Sequence, residues 1–242
     1  MDKLLVDRGL VASRERAQAM ILAGRVLVDE QKVEKPGHSV AESAAVRLLG
    51  DDLRYVSRGG VKLEAALEHW KIDLGEKFCL DVGASTGGFT DCMLQHGAAR
   101  VLAVDTGYGQ IADSLRRDAR VTLMERTNAR KLGLGELPTE IEFVAMDVAF
   151  ISATLVLPAV MGAIGRESRL EAVVLVKPQF EVGRGRVGKG GIVRDAEARA
   201  FAVQRVRGCV AELGGAGIEV IESPIRGAEG NMEFLLHAVL NR

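Results

Sequence analysis

Residues 78–97 read FCLDVGASTGGFTDCMLQHG. The apolar run Phe78–Val82 has the length of a buried strand. Gly83–Gly88 supplies a turn, and a helix follows through His96. Small residues in such a turn let backbone N–H groups approach a ligand closely at a helix start. The next apolar run, VLAVD, closes on Asp105. An acidic residue at that strand end can hold the two hydroxyls of a ribose. The pair of features predicts a site for a nucleoside-type cofactor. The bland alternative is that any α/β domain has one Gly-rich turn of this kind.

The turn Asp81-Val-Gly83-Ala-Ser85-Thr86-Gly87-Gly88 departs from the G-x-G-x-x-G pyrophosphate pattern, because Ser85 stands two residues after Gly83. Asp81 at the strand end would repel a phosphate. It suits a cofactor that carries an ammonium group, such as S-adenosylmethionine. A dehydrogenase is the weaker enzyme reading for the same reasons.

Working outward, the pattern from Ser57 alternates strand and helix, which predicts a parallel sheet. Strands are expected at 78–82, 101–105, 121–125, 142–146, 172–176, 218–223 and 232–240. Helices are expected at 61–70, 88–96, 110–116, 154–164 and 196–213. The expected fold class is α/β: a Rossmann-like, mostly parallel, doubly wound seven-stranded sheet of the methyltransferase type. A small α+β domain precedes it. Ligands in such sheets sit at the carboxyl ends of the strands. Asp81, Asp105, Asp147 and Lys177 should therefore converge.

The expected division is a first domain at 1–50, a charged linker at 51–57 and the α/β domain at 58–242. The chain has 242 residues and a net charge of −1, so no global field points to nucleic acid. The first sixty residues carry ten Lys/Arg against nine Asp/Glu, so an RNA site there must be built by folding. Cys79, Cys92 and Cys209 show no CxxC spacing, which fits a reducing compartment. No apolar run has the length of a signal peptide or a membrane span. The expectation is a cytoplasmic protein that meets no membrane. The four histidines are scattered and suggest no metal site.

Residues 2–50 read as two short helices, the second capped by Ser13, followed by three small strands. Leu4-Leu5, Gly9-Leu10, Ser13-Arg14, Ala17, Ile21 and Gly24-Arg25-Val26 together resemble the small RNA-binding domain named after the fourth protein of the small ribosomal subunit. That resemblance implies RNA contacts, with Arg8, Arg14, Arg16, Arg25 and Lys32 as candidates. The alternative is a solvated helix face whose arginines pair with Asp7 and Glu15.

Four charged positions stand at element ends: Lys62 in SRGGVKL, Asp147 in MDVAFIS, Lys177 in VLVKPQF and Glu233 in NMEF. Two lysines and two carboxylates aimed at one crevice are costly to bury unless paired. A partly desolvated lysine beside another cation can lose its proton and act as a base. A structural ion network is the competing reading. The set resembles the Lys-Asp-Lys-Glu tetrad of FtsJ-like ribose 2′-O-methyltransferases. With LDVGASTGGFTD, VDTGYGQ, DVAFIS and VKPQFE, the whole chain resembles the TlyA family, named as haemolysins and acting on ribosomal-RNA cytidines. Thr106, where valine is expected, is a minor departure.

The resemblance implies catalytic roles for Lys62, Asp147, Lys177 and Glu233, with Glu229 as the rival fourth member. Lys177 would be the base or hydroxyl-orienting group, with Asp147 positioning it. Lys62 would hold the target nucleotide and depress the pKa of Lys177, and Glu233 would orient Lys62 or the ribose. The resemblance also implies S-adenosylmethionine held by Asp81, Gly83, Ser85, Thr86, Gly87, Gly88 and Asp147, with Asp105 on the ribose and Asn128 at the adenine. The basic, Gly-rich stretch after Lys177 reads as a loop over bound RNA. Arg184, Arg186 and Lys189 would lie on phosphates, with Arg58 as a further RNA contact. The chain begins directly at the first helix, which leans towards the shorter family form and the large ribosomal subunit. A non-catalytic ribosome-assembly factor and a membrane-active haemolysin are the other readings, the last resting on the family name alone.

Overall fold

The computed structural model describes residues 1–11, 13–22, 24–49, 54–164, 169–227 and 229–240. The chain divides into two units, Met1–Val56 and Ser57–Arg242. Residues 51–53 of the expected linker lie outside the described residues, and 54–56 fall within the first unit.

The first unit holds α1 (Asp2–Asp7), α2 (Arg14–Leu22), β1 (Val26–Val28), β2 (Gln31–Lys32) and β3 (Val46–Leu48). The strands pair antiparallel in the order β2-β1-β3. Leu5, Ala17, Met20, Ile21 and Val26 are fully buried between helices and sheet. Asp29 and Glu30 link β1 to β2 with φ of 49° and 63°, the two-residue left-handed turn whose twist suits a hairpin. Ser13 Oγ accepts from Arg16 N–H at 3.2 Å, as its capping position requires.

The second unit begins with α3 (Gly59–Trp70) and continues through β4 (Phe78–Val82), α4 (Gly88–Gln95), β5 (Arg100–Val104), α5 (Asp113–Arg116), β6 (Val121–Met124) and β7 (Phe143–Met146). Then come α6 (Ala153–Ile164), β8 (Leu170–Val176), the single turn α7 (Pro178–Glu181), α8 (Ala196–Glu212), β9 (Gly215–Glu222) and β10 (Phe234–Leu240). The expected doubly wound sheet is present. Its seven strands run β6-β5-β4-β7-β8-β10-β9. The first five are parallel, while β10 runs antiparallel to both neighbours. Strand order reverses between β4 and β7, so a crevice opens there at the carboxyl ends.

Strand side chains alternate between the two faces. Leu80, Val82, Val144, Met146, Val174 and Leu236 lie in one cluster with α6 and α8. The opposite face receives α3 and α4, which pack on each other. The helix expected over 110–116 is only α5, because Ala112 is extended, with φ of −56° and ψ of 140°, and so caps the helix instead of joining it. Among the described residues no helix is long and apolar enough to cross a membrane.

Candidate active site

The one reversed strand assembles the site. Parallel strands β7 and β8 bring their carboxyl ends, Asp147 and Lys177, to the crevice. Antiparallel β10 brings its start instead. Phe234 pairs with Val176, so Glu233 arrives beside the end of β8. Lys62 comes from the first turns of α3, whose Gly59-Gly60 start lies against Gly88. A Cβ at Gly88 would collide with Ser57 Oγ, which is why a glycine opens α4.

Lys62 Nζ lies 2.5 Å from Glu233 Oε2, with both side chains almost fully buried. Lys177 Nζ lies 2.5 Å from Asp147 Oδ1. The four charges thus close as two pairs. Glu229, the rival fourth member, is exposed and near Gly191, and neither pair includes it. Pro178 starts α7 and directs the chain away directly after Lys177.

A crevice of about 450 Å³ is lined by the four charged residues together with Arg58, Gly83, Ser85, Thr86, Gly88 and Arg226. A second lobe of about 410 Å³ shares Gly83, Ser85, Asp147 and Ala149 with the first. Asp105, Gln110, Thr127 and Asn128 supply its polar groups, and Val104, Val148, Ile151 and Val156 its apolar ones. Polar groups around an apolar slot fit a nucleoside. Gly83 has φ of +89°, and a Cβ there would strike the Asp147 carbonyl. Asp105 accepts from Ser85 N–H at 2.8 Å and Gly107 N–H at 2.6 Å, which locks the turn to the end of β5. Asn128 Oδ1 accepts from Arg130 N–H at 3.1 Å.

Asp81 sits elsewhere than expected. It is 0% exposed and lines neither lobe, because strand alternation turns it towards α4. Thr90 Oγ1 donates to its Oδ2 at 2.6 Å, and its Oδ1 is buried without a partner among the described residues. Burial pushes its carboxyl up to about 7, with the Asp147 and Asp105 charges adding to the rise against the Thr90 bond. Gly87 also lies outside both lobes. Its φ of +93° and the side chains of Leu115 and Ile111 explain the glycine.

Sequence reasoning missed Arg226, and Glu181. Glu181 is buried and accepts from Ser152 Oγ at 2.5 Å and Ala153 N–H at 2.7 Å. It thereby ties the segment after Lys177 to the segment after Asp147. Burial raises its pKa despite those two bonds. Its place in VKPQFE was the available signal. For Arg226 the Gly-rich neighbourhood gave none.

The expected RNA contacts fall in both units. In the first, Arg14 Nε donates to Asp2 Oδ2 at 2.8 Å, and Arg8 donates to the Ala44 and Glu42 carbonyls. Hydrogen bonds from Gln18 and then Arg14 hold the Asp2 carboxyl well below the usual carboxylate range. Asp2 is the hydrogen-bonded partner of Arg14. Arg25 is half-buried and Lys32 exposed. In the second unit Arg58, Arg186 and Lys189 are exposed, and Arg186 stacks 4.9 Å from the Phe201 ring centre. The Arg184 side chain lies outside the described residues.

Residues 55–239 match the model of the FtsJ-like methyltransferase family, and residues 1–46 match the S4 domain. The chain is 46% identical over 237 residues to a 16S/23S rRNA (cytidine-2′-O)-methyltransferase, TlyA, of Mycobacterium tuberculosis, covering 98% of this chain and 88% of that one. It is 40% identical over 242 residues to Hemolysin A of Brachyspira hyodysenteriae, covering 99% of each. A solved structure of a hemolysin-named protein from Streptococcus thermophilus has a TM-score of 0.75 at 39% identity, covering 99% of this chain and 87% of that one. The chain is a methyltransferase of the TlyA family, in which an S4 domain precedes an FtsJ-like domain.

Proposed function

We propose that this protein transfers a methyl group from S-adenosylmethionine to the ribose 2′-hydroxyl of a ribosomal-RNA cytidine. The observation that carries the reading is the pair of lysine–carboxylate contacts at the strand ends, beside the Gly83–Gly88 turn. The named activity of the Mycobacterium tuberculosis relative supports it.

When bound, S-adenosylmethionine supplies an electrophilic methyl carbon. The residues around the second lobe suit its nucleoside: Asp105 for the ribose hydroxyls, Asn128 at the base. Gly83, Ser85, Thr86 and Gly88 line the passage towards the tetrad. Asp81 and Gly87 serve the turn from behind it. Transfer would form the ribose O–C bond as the methyl group leaves sulfur, and would release the hydroxyl proton. Lys177 steers the hydroxyl and takes that proton, while Asp147 fixes the position of its amine. Lys62, anchored by Glu233, holds the target nucleotide. Alignment supplies much of the acceleration, because the donor is already reactive. Arg16, Arg25 and Lys32 of the S4 domain, with Arg184, Arg186 and Lys189 beyond Lys177, carry RNA phosphates.

The test is transfer of labelled methyl from S-adenosylmethionine to separated ribosomal subunits and their naked RNAs. Digestion should yield label on a 2′-O-methylated cytidine, and the labelled RNA identifies the subunit. Label on a base, or on none of the RNAs, contradicts the reading.

A further inference from the structure

The first lobe of the crevice carries more positive charge than its ion pairs consume. Its charged lining residues are Arg58, Lys62, Asp147, Lys177, Arg226 and Glu233, four cations against two anions. Lys62 closes on Glu233 and Lys177 on Asp147. Arg58 and Arg226 are the surplus.

Neither arginine forms an ion pair among the described residues. Among the described residues Arg226 Nη1 donates to the Gly230 carbonyl at 3.3 Å, and no other hydrogen bond engages its guanidinium. Arg58 occupies the N-cap of α3, a helix with no acidic residue in its first turn. A cation at that end is opposed by the helix dipole. Both arginines are exposed at the crevice, so their guanidiniums stand open to an incoming anion.

The cofactor does not remove the imbalance: its one carboxylate is outweighed by its ammonium and sulfonium, so it brings a further net positive charge. A neutral or amine acceptor would not remove it either. The anion must come with the substrate. In RNA, a phosphodiester stands directly beside every 2′-hydroxyl, and the guanidinium fork matches its oxygens. We infer that Arg226, together with Arg58, holds the phosphodiester flanking the target ribose and so sets which hydroxyl faces Lys177. This rests on the RNA 2′-O-methylation reading above.

The test is equilibrium binding of the full chain to unmethylated ribosomal RNA, transcribed in vitro, across a range of salt concentrations. Arg226→Gln should weaken binding on the order of ten-fold at low salt and flatten the log–log salt slope by about 0.7–0.9. Arg226→Lys keeps the charge and should restore the slope. The Arg58→Gln/Arg226→Gln pair should flatten it roughly twice as far. Calorimetry should show S-adenosylmethionine affinity unchanged in each variant. An unchanged slope for Arg226→Gln overturns the inference. So does weakened cofactor binding with RNA binding intact, which would assign the arginine to the cofactor. Binding needs no turnover, so a wild-type chain that binds RNA without methylating it counts against the proposed function alone.

Discussion

Lys177 Nζ meets Asp147 Oδ1 at 2.5 Å, each residue standing directly after one of two adjacent parallel strands. Removing one partner leaves the other charge partly buried and unpaired. Asp147→Ala is expected to cost about 1–3 kcal/mol in urea unfolding. The double variant Asp147→Ala/Lys177→Met should cost less than the sum of the single changes, because it leaves no orphan charge. Additive costs would mean that the two residues are not coupled.

Asp81 makes stability depend on pH. Its carboxyl is raised from 3.8 to about 7 in the folded chain. Between those values the folded state holds a proton that the unfolded state has released. Its stabilising contribution is thus complete below about pH 4 and is lost as pH rises through 7. Asp81→Asn removes that term. The stability of the variant relative to wild type should rise between pH 4 and pH 7, by at most roughly 4 kcal/mol. Parallel pH profiles for the two chains would show that Asp81 ionises normally.

Gly83→Ala should damage fold and site together. The substitution adds a methyl group against the Asp147 carbonyl at a φ of +89°. Strain of this kind costs on the order of 1–3 kcal/mol. The expected outcome is a lowered Tm in thermal unfolding and weakened S-adenosylmethionine binding by calorimetry. A variant with native Tm and native affinity would contradict the described turn.

In the first unit, Arg14 and Lys32 should separate stability from RNA binding. Arg14 is engaged with buried Asp2, whereas Lys32 is exposed. Arg14→Ala should lower the urea midpoint. Lys32→Ala should leave the midpoint alone and reduce the salt slope of RNA binding by about 0.7–0.9. The reverse pattern would exchange their roles.

Much of the site was readable because its residues stand at strand ends. Asp105, Asp147 and Lys177 each follow an apolar run, and parallel strands must deliver such ends to one crevice. Other features needed three dimensions. Asp81 is one residue inside its strand end, and a shift of one position turns a side chain to the other face. Glu233 reaches Lys62 only because β10 runs backwards, a direction that apolar periodicity does not encode. The Arg14–Asp2 bond joins two helices, a contact that a reading of one helix face at a time does not contain. Arg226 lies in a loop without periodicity, and its meaning emerged only from the charges lining the crevice.

The most direct measurement compares wild type with Lys177→Ala, scoring labelled methyl transfer to ribosomal RNA and S-adenosylmethionine binding on the same preparations. The expected result is 2′-O-methylcytidine formed by wild type and a loss of about 10²–10⁴-fold in Lys177→Ala, with cofactor affinity retained. Undiminished transfer by Lys177→Ala would contradict the role of Lys177. Tight cofactor binding with no transfer to any RNA by wild type would leave the two lysine–carboxylate pairs as a structural ion network.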